Sequence, residues 1–285
     1  MMLKRPGLSF AILIAASLVF AGCRPKPITL RLAVNDTYCK ATACQCIHYL
    51  ASREYEEVVS ILKDDYDISL ELVYCLEESD LEDSIRSGHF DGAICKPWFA
   101  LRHMPAKGMK FERIADVLDP FDNGLLGGLF IVRKESPLSG PEDINGRIII
   151  IGRESSFEKY HMALTRMTEQ GIRPGKIIRK AACTEGINAL LDREADVAVI
   201  SDYALVATCA ADFAEEDAFR TIWKTGDIPL CSVVLNLKQV SRKEAARLQS
   251  ALLEISGEKI PESFASKGFI KPVPWDPKPY QGELK

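Results

Sequence analysis

Four consecutive isoleucines, Ile148 to Ile151, leave this chain fewer structural choices than any other stretch it contains. A run that is apolar at every residue has no wet face, so as a strand it has to be buried on both sides. Gly152 closes the run. Before it, Leu129 to Val132 is a second short apolar strand, ended by charge and separated from the isoleucines by the breakers Ser136, Pro137, Ser139, Gly140 and Pro141. After it, Ser155 and Ser156 stand at a helix start, with Glu158 at capping-box distance from Ser155. The helix runs on through Tyr160, Leu164 and Met167 to Gly171. The free N–H groups of a first helical turn carry part of the helix dipole, so strand, turn, hydroxyls and helix start together suit an anion. The same residues equally suit a serine that only caps its own helix.

Upstream, the pattern repeats at lower density. Ile28, Leu30, Leu32 and Val34 alternate as in a strand, and Leu50, Ala51, Tyr55, Val58 and Ile61 give Ile47 to Leu62 a helical spacing. Ile68 to Tyr74 reads as a strand, Ser79 to Arg86 as a helix and Asp91 to Cys95 as a third strand. A β-α-β-α-β order predicts a parallel sheet with helices on its faces, and ligands bind beyond the carboxyl ends of such strands. Tyr38 with Cys39, Cys75, and Cys95 with Lys96 fall on that rim, and Pro97 suits a helix start beside Lys96. A solvated lysine is the simpler alternative for Lys96. Downstream, Ile177 to Ala182 and Val197 to Ser201 read as strands around a helix from Glu185 to Leu191. Cys231 to Leu237 is a further strand, and Arg242 to Ile255 a long helix. A chain that enters a second lobe near Phe130 and leaves it near Pro229 crosses twice, which makes a hinge. The fold class expected is α/β, two lobes around a cleft, followed by a proline-rich tail from Pro261 that wraps the surface.

The first residues carry a different signal. Lys4 and Arg5 precede the apolar run Leu8 to Ala21, too short for an ordinary spanning helix and laid out as an export signal. Phe20-Ala21-Gly22-Cys23 resembles the site at which bacterial lipoproteins are cleaved and acylated, which marks residues 1–22 as signal peptide, Cys23 as the lipidated residue and 23–27 as anchor and tether. An uncleaved signal anchor with an incidental cysteine is the alternative.

Eight cysteines follow Cys23. In an exported protein an even count points to disulfides, and the first lobe's rim could bring Cys39, Cys75 and Cys95 together, with Cys44 and Cys46 close by. Free thiols come second, and a metal or metal-complex site around Cys44, Cys46 and His48 third, since that spacing is not a zinc finger's. The four histidines, His48, His89, His103 and His161, sit in separate elements, and no nucleophile–base set, phosphate loop or metalloprotease motif is present. Trp98, Phe99 and Trp223 have the spacing of core residues. A formal net charge of -4 without a basic block excludes nucleic acid as a partner.

Several motifs occur in a telling order. IVRKESP leads through EDINGRIIIIG to the serine-rich helix start. FDGAICKPWFA spans Phe90 to Ala100, CTEGINALLDREADVAVIS spans Cys183 to Ser201, and Ile228 and Pro229 precede the strand Cys231 to Leu237. Together, over residues 28 to 275, they resemble the phosphate/phosphite/phosphonate-binding proteins of ABC importers, which have the type 2 periplasmic binding protein fold. The resemblance implies lobe 1 at 28–127, lobe 2 at 128–228, and a return to lobe 1 with the C-terminal tail at 229–285. With the acylation site read at Cys23, the expected protein is a lipid-anchored receptor facing the periplasm or cell exterior; the resemblance implies that it works without cofactor or catalysis and hands a small phosphonate-, phosphite- or phosphate-like anion to an ABC permease. The ligand would be held by Tyr38 and Lys96 from one lobe and by Ser155 and Ser156 from the other, with Cys183 nearby. This chain departs from the family's serine–threonine–serine cluster, because Phe157 and Glu158 stand where small residues are expected. The competing reading is a periplasmic sensor or metal-complex binder whose site is the thiol cluster, with an enzyme third.

Overall fold

The alternation in the first hundred residues builds β1 (Ile28–Asn35), α1 (Glu56–Tyr66), β2 (Ile68–Tyr74), α2 (Glu78–Ser87) and β3 (Gly92–Cys95). β1 lies between β2 and β3 and pairs in parallel with both. The computed structural model describes residues 26–43, 47, 50–103, 108–205 and 217–276. After α3 (Pro97–His103), β4 (Phe111–Val117) joins the same sheet, as do the later strands β10 (Ser232–Asn236) and β11 (Phe269–Ile270), giving the order β11-β4-β10-β3-β1-β2. The second sheet holds β5 (Leu125–Arg133), β6 (Ile148–Ile151), β7 (Lys176–Arg179), β8 (Val197–Ser201) and β9 (Phe219–Pro229) in the order β7-β6-β8-β5-β9. Helices α4 (Met162–Glu169) and α5 (Cys183–Leu191) belong to this half, and α6 (Arg242–Ile255) to the first. The chain passes between the sheets twice, from β4 to β5 and from β9 to β10.

The four isoleucines form β6 with the bounds the run predicts, and Ile149, Ile150 and Ile151 are at most 3% exposed. Burying each contributes about 1.5–3 kcal/mol, which is why this strand pairs on both edges, with β7 and β8. One apolar cluster fills the first lobe and the lobe junction, and a second, around Phe130, Ile149, Ile151 and Val199, fills the outer face of the second sheet. Helix α6 also has its expected bounds. Ser241 accepts from the Glu244 amide at 3.2 Å and the Glu244 carboxylate accepts from the Ser241 amide at 2.9 Å, a reciprocal cap.

One expectation fails locally, and one strand carries no sequence signal. The helix expected from Ile47 starts only at Glu56, because Arg53 is needed elsewhere. Its amide donates to Tyr38 O at 3.1 Å and its guanidinium is buried against Asp36 at 2.5 Å, so the preceding segment is held beside the rim loop. Strand β4 escapes an apolar-run reading because Glu112, Arg113 and Asp116 interrupt it. In the fold Asp116 is buried, paired with Arg113 at 2.5 Å and accepting from Ser232 Oγ at 2.6 Å.

Candidate functional site

The site grows out of the turn after β6. At Gly152 a Cβ would lie 2.7 Å from Lys159 Cβ, so only glycine lets the chain fold back this tightly. The helix does not begin as a regular α turn. Residues Phe157–His161 form a wider turn in which the Met162 amide reaches back to Phe157 O, and all five residues are buried. That extra residue redirects Glu158. The expected capping box between Ser155 and Glu158 does not form: Ser156 is the residue before the helix, and its side chain makes no cap bond.

Glu158 is instead fully buried at the junction of the lobes. Its Oε1 accepts from Ser201 Oγ at 2.7 Å, lies 3.5 Å from Ser156 Oγ, and is 3.7 Å from Lys96 Nζ, which arrives from the end of β3 in the other lobe. Its Oε2 is buried with no hydrogen-bond partner. Burial alone would raise this carboxyl's pKa, but the charges of Lys96 and then Lys159 outweigh it and hold the group below the usual carboxylate range. Lys159 is 7% exposed and donates to Ala181 O at 3.2 Å, with Cys183 Sγ at 3.7 Å. Burial opposes its charge, yet Cys183, Tyr203 and Glu158 raise its pKa above the ordinary lysine value. Cys183 opens α5, and its sulfur accepts from the Ser201 amide at 3.5 Å. Around this charged cluster the lobes also meet through rings. Trp98 stacks on Phe157 at 4.8 Å, Tyr38 meets Tyr203 edge-on at 6.3 Å, and His161 lies 5.3 Å from Trp98.

Next to the ion pair is a pocket of about 220 Å³ lined by Tyr38, Asp119, Asn123, Asp202, Tyr203 and Leu230, among others. Its walls are acidic. Burial pushes Asp202 up to about 6, with Glu158 and Asp227 adding to the effect, and burial also raises Asp119. The Tyr38 phenol is raised by burial and by both of these aspartates.

The structure thus brings Lys96, Ser156 and Cys183 to one cluster and Tyr38 to the adjoining pocket. Ser155 is half-buried and makes no side-chain hydrogen bond among the described residues. Glu158, Lys159, Ser201 and Asp202 were absent from the sequence-derived set. Ser201 and Asp202 follow the carboxyl end of β8, so the strand-end rule used for Lys96 could have found them.

The thiols are a correction. Cys39, Cys75, Cys95, Cys183 and Cys231 are all buried and free, so no disulfide links Cys39, Cys75 and Cys95. β2 and β3 flank β1, which sets Cys75 and Cys95 roughly two strand spacings, about 9–10 Å, apart, beyond the reach of a disulfide. Burial pushes the Cys95 thiol up to about 12 and raises Cys39 and Cys75, leaving them unreactive. Cys44, Cys46 and His48 lie outside the described residues, as does Cys23. Among the described residues no three side chains capable of holding a metal come together, and no helix is long and apolar enough to cross a membrane.

The fold has solved counterparts. XAC2383 from Xanthomonas citri, bound to chloride ion, superposes with a TM-score of 0.66 at 16% identity, covering 90% of this chain and 95% of that one. PhnD1 from Prochlorococcus marinus, in complex with methylphosphonate, gives 0.61 at 14% identity over 90% and 97% of the two chains. The binding protein component of an ABC phosphonate transporter from Pseudomonas aeruginosa gives 0.56 at 12% identity over 86% and 82%. At these identities the likeness speaks for the fold alone. No curated protein sequence matches the chain. The family model described as ABC transporter, phosphonate, periplasmic substrate-binding protein matches residues 50–276. The chain belongs to that family, the non-catalytic periplasmic substrate-binding proteins of phosphonate ABC transporters.

Proposed function

We propose that the protein captures a small phosphonate-type acid between its lobes and presents it to an ABC permease, with Lys96, Ser156 and Ser201 as donors to the acid head. The observation that carries this reading is the approach of Lys96 Nζ to within 3.7 Å of a carboxylate on the opposite lobe. A cation from one lobe and hydroxyls from the other are spaced to grip an acid group on closure. Cys183 supports the site by ordering Ser201, and Lys159 supplies a second positive charge. Ser155, half-buried beside this cluster, belongs to the proposed site by position alone. The acidic pocket lined by Tyr38, Asp119 and Asp202 suits the other end of the ligand, an ammonium or hydroxyl group. In this reading residues 28–127 and 229–285 form one jaw and 128–228 the other. A thermal-shift titration with methylphosphonate and an aminoalkylphosphonate tests it. Stabilisation of about 2.7 kcal/mol is expected at one hundred times Kd, and no shift with any phosphonate would refute the reading.

The anchor belongs to the same proposal. The basic start, the apolar run and Phe20-Ala21-Gly22-Cys23 support lipidation at Cys23, tethering the receptor to the membrane beside its permease. Cys23→Ser should move the protein from the membrane fraction to the soluble one. An unacylated Cys23 in the wild type would remove the anchor.

A further inference from the structure

Among the described residues Glu158 is a buried carboxylate with an unsatisfied oxygen. It is 0% exposed, it stands at the helix start where an acid ligand is expected, and only one of its two oxygens is satisfied. A buried carboxylate oxygen without a donor is destabilising, and such groups persist where something other than folding requires them. Among the described residues, the side-chain donors that reach this carboxylate do so at the other oxygen: Ser201 Oγ donates to Oε1, and Ser156 Oγ and Lys96 Nζ approach it. Lys159 is engaged with Ala181 O and Cys183. The field of Lys96 and Lys159 keeps Glu158 ionised, so the orphan Oε2 can only accept.

An acid head in this cleft therefore meets two unlike demands. Lys96 and the serine hydroxyls offer hydrogens, whereas Glu158 Oε2 needs one. A phosphonate that keeps one proton satisfies both, because its charged oxygens accept while its P–OH donates. A fully deprotonated acid has nothing to give, and would set oxygen against oxygen in a site of low dielectric. Building on the ligand class proposed above, we infer that Glu158 determines specificity by accepting a hydrogen bond from the ligand's acid head, so that the protein takes protonated, monoanionic phosphonates and rejects acids without a hydrogen.

Methylphosphonate and methanesulfonate separate this cleanly. At about pH 5.5 both carry one negative charge and have similar shape, but only the phosphonate retains a proton. Calorimetry on the full chain should show wild type binding methylphosphonate at least tenfold more tightly than methanesulfonate. Glu158→Gln, whose amide can donate, should bring the two within about threefold. Glu158→Ala, which removes the acceptor, should also narrow the gap and serves if the glutamine variant folds poorly. Wild-type affinities within threefold of each other, or an undiminished preference in folded variants, would overturn the inference while leaving the ligand class intact. Binding of neither acid by folded wild type would instead overturn the ligand class, and the inference with it.

Discussion

Asp36 and Glu158 are both buried carboxylates at the rim of a sheet, each faced by a cation, yet their lone pairs are filled very differently. Asp36 takes Arg53 at 2.5 Å and the Tyr55 hydroxyl at 2.7 Å on one oxygen, and the Tyr38 amide at 3.1 Å on the other. Its cation comes from the same lobe and is itself used up. The Arg53 guanidinium also donates to Leu118 O, beside the first crossing between sheets, and to Phe264 O at 3.3 Å, with the Phe264 ring 4.8 Å away. Glu158 takes its cation from the opposite lobe and keeps one oxygen bare. In the proposed reading, the difference separates a carboxylate that fixes structure from one that meets a ligand. A saturated pair ties rim, crossing and tail into one rigid unit, and an unsaturated pair across a cleft is made to be exchanged.

If that distinction holds, the largest effect belongs to Arg53. Arg53→Met strands Asp36 without its cation in the core and should destabilise the fold by about 3–5 kcal/mol in urea unfolding. Lys96→Met leaves Glu158 with Ser201, Ser156 and Lys159, and should cost less, about 1–3 kcal/mol. Glu158→Gln keeps an acceptor for Ser201 but leaves Lys96 and Lys159 without their counter-charge, and should also cost about 1–3 kcal/mol, less than Arg53→Met because Lys96 is partly exposed. An equal loss in Arg53→Met and Glu158→Gln would erase the comparison.

Asp202 sharpens it from the pocket side. Its folded pKa, about 6, lies above the ordinary 3.8, so the folded protein holds a proton there that the unfolded chain has released. The folded state then binds more protons between these values, and stability falls as pH rises from about 4 through about 6, by roughly 2–3 kcal/mol in all. The stability difference between Asp202→Asn and wild type should therefore shift in favour of the variant by about that amount between pH 4 and 7. A flat difference would mean that the carboxylate is ordinary. The smallest effect is expected at Ser155. Ser155→Ala should change stability by no more than about 0.5 kcal/mol, because its hydroxyl makes no hydrogen bond among the described residues.

The parts of this architecture that follow one periodicity were legible from the residues. Ile148 to Ile151, Val197 to Ser201 and the Ser241-capped helix each obey a single rule, and each has the expected bounds. The meeting of Lys96, Ser156 and Cys183 was legible from their places after strand ends, but the buried carboxylate at its centre was not. The wide turn at Phe157–His161 adds a residue to the helix, and that shift carries Glu158 from a capping position at the surface into the lobe junction. A regular 3.6-residue spacing contains no hint of it. Arg53 was opaque for the opposite reason. Its partners Asp36, Leu118 and Phe264 are distant in sequence, so nothing local distinguishes it from a solvated arginine on a helix face. The rim cysteines misled because strand order, and not strand-end position, decides whether two thiols can meet.

Lys96 stands on one side of the cleft and Glu158, Ser156 and Ser201 on the other, so the account turns on whether an acid ligand bridges them. Titration calorimetry of methylphosphonate into wild type and into Lys96→Met, with folding checked by circular dichroism, addresses this directly. The variant should bind at least tenfold more weakly, about 1.4 kcal/mol, and its residual binding should depend less on salt. Equal affinity and equal salt dependence in the two proteins would contradict it.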